Sequence, residues 1–131
     1  MTDLTSRADV ERLVDTFYDR VRADERLGPI FDVIARVDWR AHLPRMYAFW
    51  EAVLFGVPGF TGDPLAAHRA LARRTPLTAR EFDRWIALFH ESVDALFTGP
   101  HADDAKRRAV RIAGVMQYHI EADRAAAGVG P

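Results

Sequence analysis

One histidine of this chain lies where its imidazole can bind a metal. His68 follows Asp63 and Pro64 in the segment GDPLAAHRAL, where a capping aspartate and a proline at the first helical position predict a short, sharply started helix. His68 lies on the apolar side of this predicted helix, and imidazole is the commonest metal ligand in proteins. Since a single histidine near a helix start is usually a surface residue, its meaning depends on its neighbours.

Three other side chains with polar tips, Tyr18, His42 and Trp85, fall on the inward faces of separate predicted helices that are otherwise Phe, Leu, Val and Met. A buried hydroxyl, imidazole or indole N–H without a hydrogen-bond partner costs roughly 1 to 3 kcal/mol. Three such groups that converge therefore predict a polar ligand atom between them. An apolar slot with a few polar groups, and one histidine from a separate short helix, is what a haem with an axial ligand needs.

Core packing alone is the competing interpretation, because 11% aromatic residues is high but not extraordinary for a helical domain. Other chemistries lack their motifs. The chain has no HExxH, no Walker-type glycine loop and no GxSxG elbow. It has no cysteine, which excludes disulfides, thiolate ligands and a cysteine nucleophile. His90, His101 and His119 occupy polar or boundary positions and are predicted to face solvent.

The elements that must position these residues are helices. Apolar residues recur at helical spacing in four long stretches, which are approximately 6–21, 38–54, 78–97 and 105–120. Asp38 is a predicted helix cap, and Thr78 with Glu81 forms a capping box. Since no alternating strand pattern occurs, the predicted fold class is all-α, with four main helices and short connecting ones.

Two prolines shape the predicted path of the chain. Gly28 and Pro29 end the first helix in a tight corner that leads to Phe31. Pro44 lies within the second apolar stretch, where a proline breaks a backbone hydrogen bond. That helix therefore either kinks at Pro44 or restarts with Pro44 in its first turn, and in both cases His42 stands at the mouth of the segment.

Length and charge limit the possible partners. The 131 residues contain no linker, which predicts one domain over 1–131 with a core at about 6–122 and a frayed tail at 123–131. The net charge of −1 is spread along the chain, so neither a nucleic acid nor a membrane is an expected partner. The N-terminal stretch lacks the apolar segment of a signal peptide, and we therefore expect a cytoplasmic location.

An ordered set of short motifs resembles the group III truncated haemoglobins. In chain order the motifs are FYDRV, LGPIF, W-x-x-HLP, FW, GDPLAAHRAL and FDRW-x-x-LF, and the similarity extends from about Val10 to Met116. The resemblance implies a truncated globin fold, a two-over-two helical sandwich around haem b (iron protoporphyrin IX). It also implies that His68 is the proximal ligand of the iron.

The resemblance also implies roles for residues on the distal side of the haem. Tyr18 matches the tyrosine that donates a hydrogen bond to bound oxygen, Trp85 matches the distal indole, and His42 matches the histidine near the pocket entrance. Phe31 matches the corner phenylalanine that stacks on the porphyrin. From their positions on the apolar stripes, further haem walls are predicted at Met46, Phe49, Leu65, Leu71, Phe82 and Ile86. Arg45 and Arg69 flank the predicted rim, where they would meet the haem propionates.

Three functions stay open at this point. The first is the binding of dioxygen, nitric oxide or another small diatomic gas. The second is a haem redox enzyme that oxidises nitric oxide or reacts with peroxide, with a reductase as a possible partner. The third is a haem-free helical interaction domain. A monomer or a weak dimer is expected in each case.

Overall fold

Side-chain caps mark the starts of the first four α-helices, as the sequence predicted. The computed structural model describes residues 1–128. Its helices are α1 (Arg7–Ala23), α2 (Trp39–Phe55), α3 (Pro64–Ala72), α4 (Ala79–Leu96) and α5 (Pro100–Ala126), with a π-helical turn at Ile30–Ile34. Oxygens of Ser6, Asp38, Asp63 and Thr78 accept hydrogen bonds from backbone N–H groups in the first turns of α1 to α4. These bonds satisfy donors that a helix start otherwise leaves unpaired.

The packing of the helices leaves α3 on one side of the bundle. α1 packs against α2 and α4, α4 packs against α5, and both α2 and α3 pack against α5. The buried core follows the inner faces of α1, α4 and α5, and it includes Val10, Leu13, Phe17, Phe89, Val93, Ala105 and Ala109. The all-α class is confirmed, since residues 1–128 contain no strand. None of the helices in this range has the length and apolar character needed to cross a bilayer.

Pro44 lies inside α2, which is one helix from Trp39 to Phe55. The alternative of a restart at Pro44 is therefore wrong. Backbone bonds to the Asp38 carbonyl from Ala41 and His42, at 3.1 and 2.8 Å, already form the first turn ahead of the proline. His42 consequently lies within the first turns of a continuous helix.

The corner between α1 and α2 is helical rather than an open turn. Gly28 is needed there because a Cβ atom at this position would lie 2.6 Å from the Arg22 carbonyl oxygen. The chain continues into the π-helical turn, and the Phe31 N–H donates to the Leu27 carbonyl at 3.3 Å. This close approach to the end of α1 brings Phe31 towards Tyr18.

The predicted boundary of the C-terminal tail is corrected by α5. The helix extends to Ala126, past the expected core limit at residue 122. Asp123 explains part of the extension, because its carboxylate is held by Arg69 of α3. Residues 129–131 of the predicted tail lie outside the described residues.

Candidate functional site

The apolar stripe of α2 and the whole of α3 are incompletely covered by protein. Trp50 is the buried residue of α2, and α3 has none within its nine residues. The predicted wall residues Met46, Phe49, Leu65, Leu71 and Ile86 are half-buried, whereas Phe82 is buried. α2 and α3 pack on α5 but not extensively on each other, so their partly exposed apolar side chains are available to an apolar ligand.

His68 presents one free ring nitrogen on α3. Its Nδ1 lies 2.6 Å from the carbonyl oxygen of Pro64, one turn earlier. A carbonyl can only accept, so Nδ1 carries the proton and donates. Burial lowers the pKa of His68, more than the bond to Pro64 raises it, which favours the neutral ring. The lone pair of a neutral ring in this tautomer is on Nε2, the atom available to a metal.

Tyr18, Phe31, Trp39 and His42 form one cluster of rings, which we call the distal cluster. The ring centroid of Tyr18 lies 5.9 Å from that of Phe31, 5.3 Å from that of Trp39 and 5.2 Å from that of His42. Trp39 also contacts His42, with centroids 5.5 Å apart. α1, α2 and the π-helical turn thus bring together three of the residues predicted from the sequence.

Two polar atoms of the distal cluster, one on His42 and one on Tyr18, lack hydrogen-bond partners among the described residues. Nε2 of His42 is buried and has no hydrogen-bond partner among the described residues. The Tyr18 side chain is 6% exposed, and burial raises the pKa of its hydroxyl far above the usual value, which keeps it a proton donor. No hydrogen bond to that hydroxyl occurs within residues 1–128. Unpaired buried polar atoms are costly, so the cluster favours a polar ligand atom beside it.

Trp85 belongs to a neighbouring ring cluster. Its ring contacts Phe17 edge-on at 5.4 Å and stacks on Phe89 at 5.7 Å. Phe17 also contacts Tyr18, with centroids 4.9 Å apart. Phe17 therefore lies between the Trp85 indole and the distal cluster and contacts both. The structure therefore places Trp85 next to this cluster rather than within it.

Trp39 is a member of the distal cluster that the sequence motifs did not single out as a site residue. Its indole N–H donates to Asp32 at 2.9 Å, and the guanidinium of Arg22 lies 4.8 Å from its ring centre. These contacts hold the ring beside Tyr18 and His42. The signal for it was present, because Trp39 precedes His42 by three residues and so shares its helix face.

The two arginines predicted at the rim differ in their surroundings. The Arg69 guanidinium forms two hydrogen bonds to Asp123, at 2.8 and 2.6 Å. It ties α3 to α5 and is already engaged by a carboxylate. Arg45 is exposed on α2, and its charge contributes to the lowered pKa of His42. Of the two, Arg45 is the better placed to meet an anionic group at the rim.

The remaining histidines lie away from these residues. His101 is exposed beside Asp3, as predicted. His90 is half-buried, with Nε2 3.3 Å from the Lys106 carbonyl oxygen, and His119 is half-buried against Tyr118. These two are therefore only partly exposed to solvent. Their neighbours are residues of α5 rather than the faces of α2 and α3.

The residues present fit a haem group. Partly exposed apolar side chains of α2, α3 and α4 suit the porphyrin, and His68 offers a neutral imidazole with a free Nε2. The unpaired Nε2 of His42 and the Tyr18 hydroxyl provide polar groups. One histidine ligand with polar groups at the other axial position is how globins hold haem iron.

Comparisons with known proteins relate the chain to the globins. The profile of the family "Bacterial-like globin" matches residues 3–119. The chain is 32% identical, over 111 residues, to "Group 3 truncated hemoglobin ctb" of Campylobacter jejuni, which covers 82% of this chain and 85% of that protein. A crystal structure of the group III truncated haemoglobin from Campylobacter jejuni superposes with a TM-score of 0.80 at 30% identity, covering 92% of this chain and 95% of that one.

These similarities confirm both the family and the truncated globin fold that the sequence motifs implied. They extend over nearly the whole chain and do not depend on one motif. Globins are haem proteins that bind small gases, and the family supports the same general function here. The chain belongs to the bacterial-like globins and, within them, to the group III truncated haemoglobins.

Proposed function

We propose that the chain binds haem b through Nε2 of His68 and takes up dioxygen or another small diatomic gas on the opposite side of the haem. The observation that carries this proposal is the tautomer of His68. Its Nδ1 donates to the Pro64 carbonyl, so the ring is oriented from within its own helix and Nε2 is left as a ligand. Histidines that bind a metal through one ring nitrogen typically donate a hydrogen bond from the other.

Haem supplies an iron centre that binds diatomic gases, and the residues of the chain set its surroundings. Tyr18 acts as the main hydrogen-bond donor to the gas, because its buried hydroxyl stays protonated and has no competing partner within residues 1–128. Such a donor stabilises negative charge that develops on a diatomic ligand. We assign Trp85 a secondary part, since its ring stacks on Phe89 outside the distal cluster.

The apolar residues hold the porphyrin and exclude water. Phe31 stands at the distal cluster, next to Tyr18, where it would stack on the haem. Met46, Phe49, Leu65, Leu71, Phe82 and Ile86 would form the remaining walls. The incomplete burial of all of these except Phe82 supports this assignment, because a half-covered apolar face is stabilised by about 25 cal/mol for each Å² removed from water. Arg45 would meet a propionate.

Redox catalysis with the same haem is the alternative function. Oxidation of nitric oxide or reaction with peroxide would use the same donors and would need a reductase to restore ferrous iron. Equilibrium gas binding and turnover assays on one preparation separate the two functions. We infer a cytoplasmic location and a monomer or weak dimer for either.

Visible spectra of the wild type and of His68→Gly test the haem ligation. The wild type is expected to take up haem with a sharp Soret band, and His68→Gly is expected to lose that spectrum because the iron loses its protein ligand. Added imidazole should restore it by occupying the vacated space. His119→Ala is the matched control, since His119 lies on α5 beside Tyr118.

A wild-type spectrum in His68→Gly without imidazole would contradict the ligand assignment. A wild-type protein with no Soret band after haem supplementation would contradict haem binding altogether. That second result would favour a haem-free helical domain.

A further inference from the structure

The outward face of α5 exposes large apolar side chains to solvent. Val110, Val115 and Tyr118 are 46%, 49% and 70% exposed. The opposite face of the same helix carries the buried alanines of the core, and α5 packs with α2, α3 and α4. Val110 and Tyr118 lie four residues before and after Gly114, so these three share one face of the helix. This face is not covered by the other described residues, and it is therefore available to a partner.

Gly114 lies in the middle of this face, where the fold itself does not require a glycine. The residue is inside the helix and its φ is not positive. A Cβ atom added there would have no atom within 4 Å beyond the adjoining backbone of its own helix. Glycine in a helix interior is unfavourable compared with alanine. Its advantage at this position is that another backbone can approach it closely.

The residues on this face are arranged so that two copies of it complement each other. Arg107 lies seven residues before Gly114 and Glu121 lies seven residues after it, while Val110 and Tyr118 lie at four on either side. In a twofold dimer, residue i contacts residue j of the second copy, and j contacts i. Two α5 helices that cross antiparallel at Gly114 therefore place Arg107 opposite Glu121. They also place Val110 opposite Tyr118, and each contact occurs twice.

Charge favours the antiparallel direction over the parallel one. In a parallel pair Arg107 and Arg111 would each meet a like charge, whereas in the antiparallel pair Arg111 lies beside the ring of Tyr118 of the second copy. Arg111 has no hydrogen bond or ion pair within residues 1–128. The Arg107 side chain is 68% exposed, and its contact with Asp104 is 3.5 Å long. Such a surface pair contributes little, so both guanidinium groups are available to a second copy.

We propose that the outward face of α5 is the contact surface of a homodimer, in which two copies of the helix cross antiparallel at Gly114. The inference goes beyond the proposed function and does not depend on haem, because α2 and α3 pack on the other side of α5. A single pair of helices buries less surface than a standard protein interface, so the dimer is weak and forms at micromolar or higher concentrations.

Sedimentation velocity of the purified protein, from micromolar to near-millimolar concentration, tests the dimer. The wild type should shift from the monomer mass towards twice that mass as the concentration rises. Gly114→Leu should stay monomeric, because its side chain prevents the close approach of a second backbone. Circular dichroism should show unchanged helix content in this variant, since the space beside Gly114 is open. Val33→Ser is the matched control, because Val33 is 64% exposed on the π-helical turn, and it should dimerise like the wild type.

Charge reversal tests the register of the two helices. Arg107→Glu and Glu121→Arg should each raise the dissociation constant by roughly tenfold or more, because each places like charges opposite one another twice. The double variant Arg107→Glu/Glu121→Arg should recover the wild-type dissociation constant, because opposite charges face each other again. Its net charge equals that of the wild type, so overall charge cannot account for the recovery.

Three results would overturn the proposal. A wild type that stays monomeric at every concentration would leave the face to a different protein. A dimer that persists in Gly114→Leu would place the contact elsewhere on the molecule. Single charge reversals that dimerise like the wild type would contradict the antiparallel register. Each of these results leaves the proposed function intact, because haem ligation by His68 is measured separately from its spectrum.

Discussion

At the scale of single residues, the site depends on which polar atoms are left without a partner. The Tyr18 hydroxyl and Nε2 of His42 lie in one cluster of rings, yet neither is paired within residues 1–128. A core built only for stability would pair such atoms or replace them with apolar groups. Arg69 shows the contrast, because its two bonds to the Asp123 carboxylate give it a structural role.

Tyr18→Phe tests the donor on the distal side. The change removes the hydroxyl and keeps the ring contacts with Phe31 and Trp39. A hydrogen bond to a partly charged acceptor contributes about 1.5 to 3 kcal/mol, so oxygen dissociation should become roughly 10- to 100-fold faster. Stopped-flow measurement of oxygen release from the ferrous protein checks this. Trp85→Phe should have a smaller effect, and an unchanged rate in both variants would rule out the donor assignment.

At the scale of helices, α3 is the helix that buries the least of its own surface. It has nine residues, none of them buried, and isolated helices of this length are not stable in water. The Asp63 carboxylate accepts the Ala66 N–H at 3.0 Å, and Arg69 holds Asp123 on α5. Together with the packing of Leu71 and Ala72 on the core, these contacts maintain the helix that carries His68, so we expect its cap to affect haem retention.

Asp63→Ala removes the cap of α3 and tests this dependence. Loss of an N-cap costs about 1 kcal/mol, which corresponds to roughly fivefold faster haem loss if the helix must unfold for release. The measurement is the rate of haem transfer to an excess of an apoglobin acceptor. Asp63→Asn keeps an N-cap acceptor and should retain haem at nearly the wild-type rate. Equal rates for the wild type and Asp63→Ala would show that the cap is not limiting.

At the scale of the whole molecule, the N-terminal segment is joined to the start of α5. The Asp3 carboxylate accepts hydrogen bonds from the backbone N–H groups of His101 and Ala102, at 3.0 and 2.9 Å. Burial raises the pKa of Asp3, but these N–H donors outweigh it and hold the pKa below 3.8. Because Gly99 provides no side chain as a cap, Asp3 supplies the cap from a distant part of the sequence.

The pH dependence of unfolding tests the role of Asp3. A carboxylate with a lowered native pKa stabilises the fold fully above its unfolded pKa, near 3.8, and loses this effect as the pH falls through the native value. Asp3→Ala should lower the free energy of unfolding by about 1 kcal/mol at pH 7. The difference from the wild type should shrink below about pH 4.

Urea unfolding followed by circular dichroism gives this difference at each pH. The comparison between two proteins at the same pH cancels any acid-induced haem loss that they share. Asp3→Asn keeps an acceptor without the charge, so its difference from the wild type should be smaller at pH 7. A constant difference between the wild type and Asp3→Ala down to pH 3 would contradict the assignment.

The sequence by itself determined the main helices, the starts of α1 to α4 and the family. Caps such as Asp38, Asp63 and the Thr78 box involve atoms only two or three residues apart, so local sequence specifies them. The residues of the FYDRV, W-x-x-HLP and GDPLAAHRAL segments also identified Tyr18, His42 and His68 as the residues to examine.

Only the tertiary structure decided how those residues are combined. The membership of Trp39 in the distal cluster, the position of Trp85 behind Phe17, and the pairing of Arg69 with Asp123 depend on how helices cross. Arg69 and Asp123 are 54 positions apart, and no helical periodicity relates such positions. The unpaired nitrogen of His42 is likewise a property of packing, because it exists only where neighbouring helices bury the atom without supplying a partner.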